Sequence, residues 1–189
     1  MGNLMRLLLP FLFVGAPLWA QEPRESVGSL LEALKPADYV HAFLGNCAQN
    51  PGRLDVVVAA ANALGYADLP EDMEILLAPP EPEAPFQGWI VFDGPGSPFL
   101  LGISEGDLEG TTYQFCSVTN PFLPSDEVIS ILRGFVNLDQ PLTDETVSGQ
   151  RYRAWWAPEI LEGAILSSSD ISTMGLSGIT LSIAAPKQY

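Results

Sequence analysis

Four prolines crowd the run Ala78-Pro79-Pro80-Glu81-Pro82-Glu83-Ala84-Pro85, and this run constrains the fold more than any other feature of the chain. Each proline fixes its own φ, lacks an N–H and disfavours helix at the residue before it, so no regular helix or central strand continues through the run. The hydrophobic pattern changes across it. Before it, apolar residues recur at helical spacing; after it, short apolar or alternating runs are separated by turn-forming residues.

On the helical side, Ser26 is placed to cap a short helix through Leu34, with Leu30, Leu31 and Leu34 on one face. Pro36 breaks or restarts the chain, and a second helix is expected from Ala37 to about Gly45, paced by Val40, Phe43 and Leu44. A third has Asn50 as N-cap, Pro51 in the first turn and Leu54, Val57, Val58, Ala61 and Leu64 on its buried face. Gly65 suits a left-handed stop, after which Tyr66 folds back over Ala61. A last helical stretch is expected from Leu69 to Leu77, with Asp68 as its cap.

On the other side, strands are expected at Trp89–Phe92, Phe99–Ile103, Thr112–Val118, Arg151–Trp156, Gly163–Ser168 and Ile179–Ala184. A helix at Ser125–Gly134 divides them into two groups of three. Ser167-Ser168-Ser169-Asp170 reads as a turn. Short links favour antiparallel pairing. The expected fold is therefore α+β: a two-layer domain with a mostly antiparallel sheet of five to six strands, helices packed on one face, and an N-terminal helical segment in front. Residues 21–189 are read as one domain, with a helical part at 26–77, a proline-rich connector at 78–85 and a sheet-rich part at 86–189.

The first twenty residues have a different logic. Arg6 precedes the apolar run Leu7–Val14, and small or weakly polar residues lead to Ala20. That is the order of a secretory signal, with cleavage expected between Ala20 and Gln21; a cut after Ala16 fits the small-residue pattern but meets Pro17. A retained anchor would need about 20 apolar residues, more than the segment from Leu7 to Ala20 supplies. The expected location is the periplasm or the extracellular space, with a mature form not embedded in a membrane.

All 23 acidic residues lie beyond Ala20 and Arg6 is the one basic residue before it, so the mature chain is one unit more negative than the −15 of the whole. Such a surface repels nucleic acid, whose recognition rests on neutralising phosphates, and anionic lipid as well. The two cysteines, Cys47 and Cys116, suit one disulfide in an exported chain, tying the helical part to the sheet.

No catalytic set stands out, and no cofactor or metal is expected. His41 is the single histidine and reads as an ordinary helix residue. Glu105-Gly106-Asp107-Leu108-Glu109 lacks the spacing of a calcium loop. Phosphate-loop and dinucleotide patterns are missing, and Ser167, Ser168 and Ser169 lack a nucleophile-elbow context. The unusual local chemistry is Arg151-Tyr152-Arg153-Ala154-Trp155-Trp156. On a strand, Arg151, Arg153 and Trp155 share one face and Tyr152, Ala154 and Trp156 the other, the second set suiting a helix-covered core. Arg151, Arg153, Trp155 and Trp89 are therefore the candidate binding residues, for a protein partner or a small anionic ligand. The alternative is that the arginines pair with the chain's own carboxylates. The function expected is an exported binding or accessory module. The competing readings are a small periplasmic hydrolase using a cysteine or a carboxylate pair, and a structural subunit of an envelope complex.

Overall fold

The computed structural model describes residues 35–77, 79, 84–92 and 98–189. The leader, the tail Gln21–Arg24 and the expected helix from Ser26 to Leu34 lie outside the described residues, as do most of the proline-rich run and the turn at 93–97.

Helix α1 (Pro36–Phe43) begins on its proline, where the missing N–H has no intrahelical acceptor to satisfy, and continues into a π-helical turn at Leu44–Ala48. Helix α2 spans Leu54–Leu64 and stops at Gly65, where the Tyr66 N–H donates to the Ala61 carbonyl at 3.0 Å. Its start is three residues later than Pro51. Asn50 and Pro51 instead form a turn, closed by the Arg53 N–H on the Asn50 carbonyl at 3.2 Å. Strand β1 (Ala67–Asp68) and the single-turn helix α3 (Glu71–Glu74) replace the longer helix expected at Leu69–Leu77. Pro70 sits at the N-cap, so the helix starts after it and not at Leu69.

The strands that follow are β2 (Phe86–Val91), β3 (Phe99–Leu108), β4 (Thr111–Asn120), β5 (Thr143–Val147), β6 (Gln150–Trp156), β7 (Ile165–Asp170) and β8 (Ile179–Pro186). Helix α4 (Ser125–Leu132) separates β4 from β5. The sheet is antiparallel at every pairing, in the order β1-β2-β3-β4-β8-β7-β6-β5. The first four strands form one meander, the last four a second, and β8 joins them by pairing with β4.

The sheet thus has eight strands, not five to six. The two additional ones carry no hydrophobic signature. β1 is two exposed residues, and β5 reads Thr-Asp-Glu-Thr-Val with almost every side chain in solvent. What makes β5 a strand is its turn: Ser148 and Gly149 both take positive φ, at 52° and 85°, the left-handed pair that matches the twist of a two-residue hairpin. The serine run is not a turn either. Ser167, Ser168, Ser169 and Asp170 all lie in β7, alternating between half-buried and buried.

Helices α1, α2 and α4 cover one face of the sheet, while Leu69 and Leu77, on either side of α3, lie against the other over Gly88 and Gly102. On the first face, Tyr39, Val40, Phe43, Val57, Ala61, Val128, Ile129 and Leu132 pack with Trp89, Leu101, Cys116, Val118, Leu166, Leu181 and Ile183. Burying roughly 25 cal/mol per Å² of apolar surface makes this layer the main source of stability. The Tyr39 hydroxyl, wholly buried, lies 2.6 Å from the Val118 carbonyl and 3.0 Å from that of Ile179, linking α1 to two central strands. Among the described residues, no helix is long and apolar enough to cross a membrane.

Candidate functional site

Cys47, in the π turn after α1, and Cys116, in the middle of β4, form a disulfide with their Cα atoms 5.3 Å apart. The cross-link ties the helical layer to the sheet. It also removes both thiols, so neither is a nucleophile.

Two residues before Cys116 on the same face, Gln114 forms the floor of an open cleft of about 910 Å³. One wall is the start of α2, with Leu54 and Val58; the other is Gln87 of β2 and Ile103 of β3; the C-terminal residues close one end. The floor is a chain of hydrogen bonds. The Leu54 N–H, one of the α2 donors without an intrahelical acceptor, donates to Gln114 Oε1 at 2.9 Å. Gln114 Nε2 donates to Glu105 Oε1 at 2.6 Å. Lys187 Nζ donates to both oxygens of the same carboxylate, at 3.0 and 3.1 Å. The Gln114 amide first, and the Lys187 ammonium second, hold the Glu105 carboxyl below the usual carboxylate range. Gln114 is buried, whereas the Glu105 and Lys187 side chains are each about one-third exposed to the cleft, at 32% and 33%. At its mouth, Arg53 makes a two-point ion pair with Asp55, at 2.8 and 2.9 Å.

Backbone contacts fix the C-terminal wall. Past the end of β8, the Lys187 N–H donates to the Thr112 carbonyl and the Gln188 N–H to the Gly52 carbonyl, both at 2.9 Å. Gly52 is required at that crossing. It has φ of 71°, and a Cβ there would lie 2.3 Å from the Pro186 carbonyl oxygen.

The sequence-derived candidates lie outside this cleft, three of them together on β6 and Trp89 away from them on β2. Trp89 is a core residue, 1% exposed. Arg153 and Trp155 lie on the helix-covered face, with the guanidinium carbon 5.9 Å from the indole centroid, and both are buried. Arg153 Nη2 donates to Asp170 Oδ2 at 2.8 Å, the Asp170 side chain being fully out of solvent. Arg151 is partly exposed and makes a two-point pair with Asp144, at 2.7 and 2.8 Å. That pairing raises the Arg151 pKa and lowers that of Asp144. Of the four, Arg151 alone is accessible. The expected facing of β6 is reversed: Tyr152 and Trp156 point to solvent, at 45% and 54% exposure, and the arginines point inward. The reason is the ion pair. Asp170 on the neighbouring strand supplies an internal counter-charge, so a guanidinium can share the helix-covered face with Trp155.

Three buried polar atoms on this part of the sheet, Arg153 Nε, Trp155 Nε1 and Ser168 Oγ, have no hydrogen-bond partner among the described residues. Ser168 is the direct cross-strand neighbour of Arg153. His41 packs edge-on against Phe135, with ring centroids 5.5 Å apart, an ordinary helix-surface contact. Among the described residues, no group of three or more His, Cys, Asp or Glu side chains is placed to hold a metal.

Of the cleft residues, the sequence offers Glu105 only as part of an acidic turn, and gives no reason to join it to Gln114 and Lys187. The three are 9 to 82 positions apart and meet only through the β3–β4 register and the β8 extension. The one available signal was Gln114, a polar residue on the Cys116–Val118 face of an otherwise core-facing strand. Comparisons with family models, with curated proteins and with solved structures gave no match.

Proposed function

We propose that this chain is an extracytoplasmic binding module, acting in the periplasm or outside the cell as a single domain over residues 21–189, and that its ligand is a small zwitterion such as an amino acid or short peptide. The disulfide supports an oxidising compartment. The observation that carries the ligand reading is the adjacent Glu105 carboxylate and Lys187 ammonium, each one-third open to the same cleft. A zwitterion satisfies both groups at once, placing its carboxylate on Lys187 and its ammonium against Glu105. Gln114 holds the acceptor in place. Ile103, Leu54 and Val58 offer an apolar wall to a side chain. The volume lies within the range of small-molecule sites.

Calorimetric titration of the mature protein with a panel of free amino acids and tripeptides tests this. Binding of at least one member is expected, weakened about tenfold or more in K187M and in E105Q, the loss of one charged contact. Equal affinity in both variants, or no binding across the panel, contradicts the reading. A hydrolase built on a cysteine has no free thiol to use among the described residues.

A further inference from the structure

The face of the sheet opposite helices α1, α2 and α4 has an unexpected composition. From β2 to β6 across the sheet, not one Asp, Glu, Lys or Arg stands on it, in a chain whose net charge is −15. The charged residues of those strands, Glu105, Asp107, Arg151, Arg153 and Asp170, all take the other face. Its centre is a field of hydroxyls. Ser117, Ser182 and Ser167 lie side by side in one cross-strand row, and Thr119, Thr180 and Ser169 in the next. Some bond one another, Ser117 to Ser182 at 2.7 Å and Thr180 to Thr119 at 2.8 Å. Beside this field, β6 presents Tyr152 and Trp156, half-exposed and about 13 Å apart along the strand, with the small Ala154 between them. Among the described residues, Phe86, Leu69 and Leu77 close over Gly88 and Gly102 at the β2–β3 end, and Leu76 lines a small cleft with Thr119, Thr180 and Ser169; the row of Ser117, Ser182 and Ser167 and the two aromatic rings are left partly open.

We propose that this face is a second binding surface, distinct from the cleft, and that its partner is an uncharged polysaccharide chain. Charge complementarity selects that partner. A cationic polymer would find one carboxylate at the β5 edge, Glu145 beside Tyr152, and none across the hydroxyl rows, and an anionic one would meet no cation and a strongly negative protein. An apolar partner would have to leave the hydroxyls unpaired on burial, at about 1–3 kcal/mol each. A neutral glycan matches both chemistries: its C–H faces lie on the Trp156 and Tyr152 rings, and its hydroxyls exchange hydrogen bonds with the serine and threonine rows.

Electrophoresis in native gels containing hydroxyethyl cellulose or dextran, with alginate as the anionic comparison, tests this. Retardation is expected in at least one neutral gel and not in alginate. Added salt should leave it unchanged, because no ion pair is involved. It should vanish in W156A and persist in E105Q, a cleft variant whose behaviour separates this surface from the zwitterion site. Acrylamide quenching supplies a second reading: the free protein should be quenched more than W156F, and the bound protein should be protected. No retardation in either neutral gel, retardation in alginate only, or retardation undiminished in W156A overturns the proposal. So does a Trp156 already shielded in the free protein, which would mean that the chain itself covers the face. A dimer dispersed by W156A without any glycan effect would assign the face to a second copy and equally overturn it.

Discussion

Arg153 and Asp170 are joined by a 2.8 Å hydrogen bond while their side chains are 7% and 0% exposed, an ion pair inside the core of an acidic protein. The Asp170 carboxylate also receives the Ser172 N–H at 3.0 Å and the Ser172 hydroxyl, so its lone pairs are well occupied. Removing either partner strands a buried charge. R153A and D170A are each expected to lose about 3–5 kcal/mol in urea unfolding, and replacing both residues together with apolar side chains of similar volume should recover most of that loss. A loss below about 1 kcal/mol in both single variants would mean that the pair is open to water.

The facing of β6 and β7 makes a contrast among three substitutions. W155A removes a core side chain and should cost about 3–5 kcal/mol. W156A, half-exposed, should stay within about 0.5 kcal/mol of the parent. S168A deletes a buried hydroxyl without a partner among the described residues, and should be neutral or stabilising by up to about 1 kcal/mol. Chemical denaturation of the three variants checks the order. W156A costing more than W155A would reverse the strand.

Glu105 gives the cleft a pH dependence. Its carboxyl is held below its ordinary value, chiefly by the Gln114 amide and then by Lys187. A depressed carboxyl stabilises the fold fully above its unfolded pKa, about 4.3, and that contribution is lost as pH falls through the folded value. Asp144, held down by Arg151, acts in the same direction. The melting temperature should therefore fall on acidification below about pH 5, and less steeply in E105Q than in the parent. Parallel curves for the two proteins would show that Glu105 is not engaged in the folded state.

The Cys47–Cys116 bridge encloses a sequence separation of 69 residues. In the chain-entropy picture, closing a loop of that length contributes roughly 4 kcal/mol. The C47A/C116A double variant should lose an amount of that order in denaturant unfolding. The cleft should also loosen, since the bridge sits two residues from Gln114. Unchanged stability in the double variant would mean that the helical layer docks without the cross-link.

Legibility followed local pattern. The helical spacing of Val40 and Phe43, the stop at Gly65 and the alternation of Tyr113–Phe115–Ser117 against Gln114–Cys116–Val118 are written in neighbouring residues, and each corresponds to an observed element or face. The edge strands were not legible because β1 and β5 bury almost nothing; pairing and a turn define them, not hydrophobicity. The facing of β6 is not legible locally for a related reason. An arginine reads as a surface residue until its buried partner is known, and Asp170 stands 17 positions away, in a serine run that resembles a turn. The cleft depended on a still longer relationship, the 82-residue separation of Glu105 and Lys187, which no local signal carries.

The most direct test of the zwitterion cleft is a titration of the 15N-labelled mature protein with a tripeptide, followed by amide NMR. The account predicts shifts concentrated at the Gln114 side-chain amide and the backbone amides of Leu54, Glu105 and Lys187, with Ser167 and Ser182 on the far face unmoved. Shifts that spare those four positions, or a spectrum unchanged at saturating peptide, would contradict it.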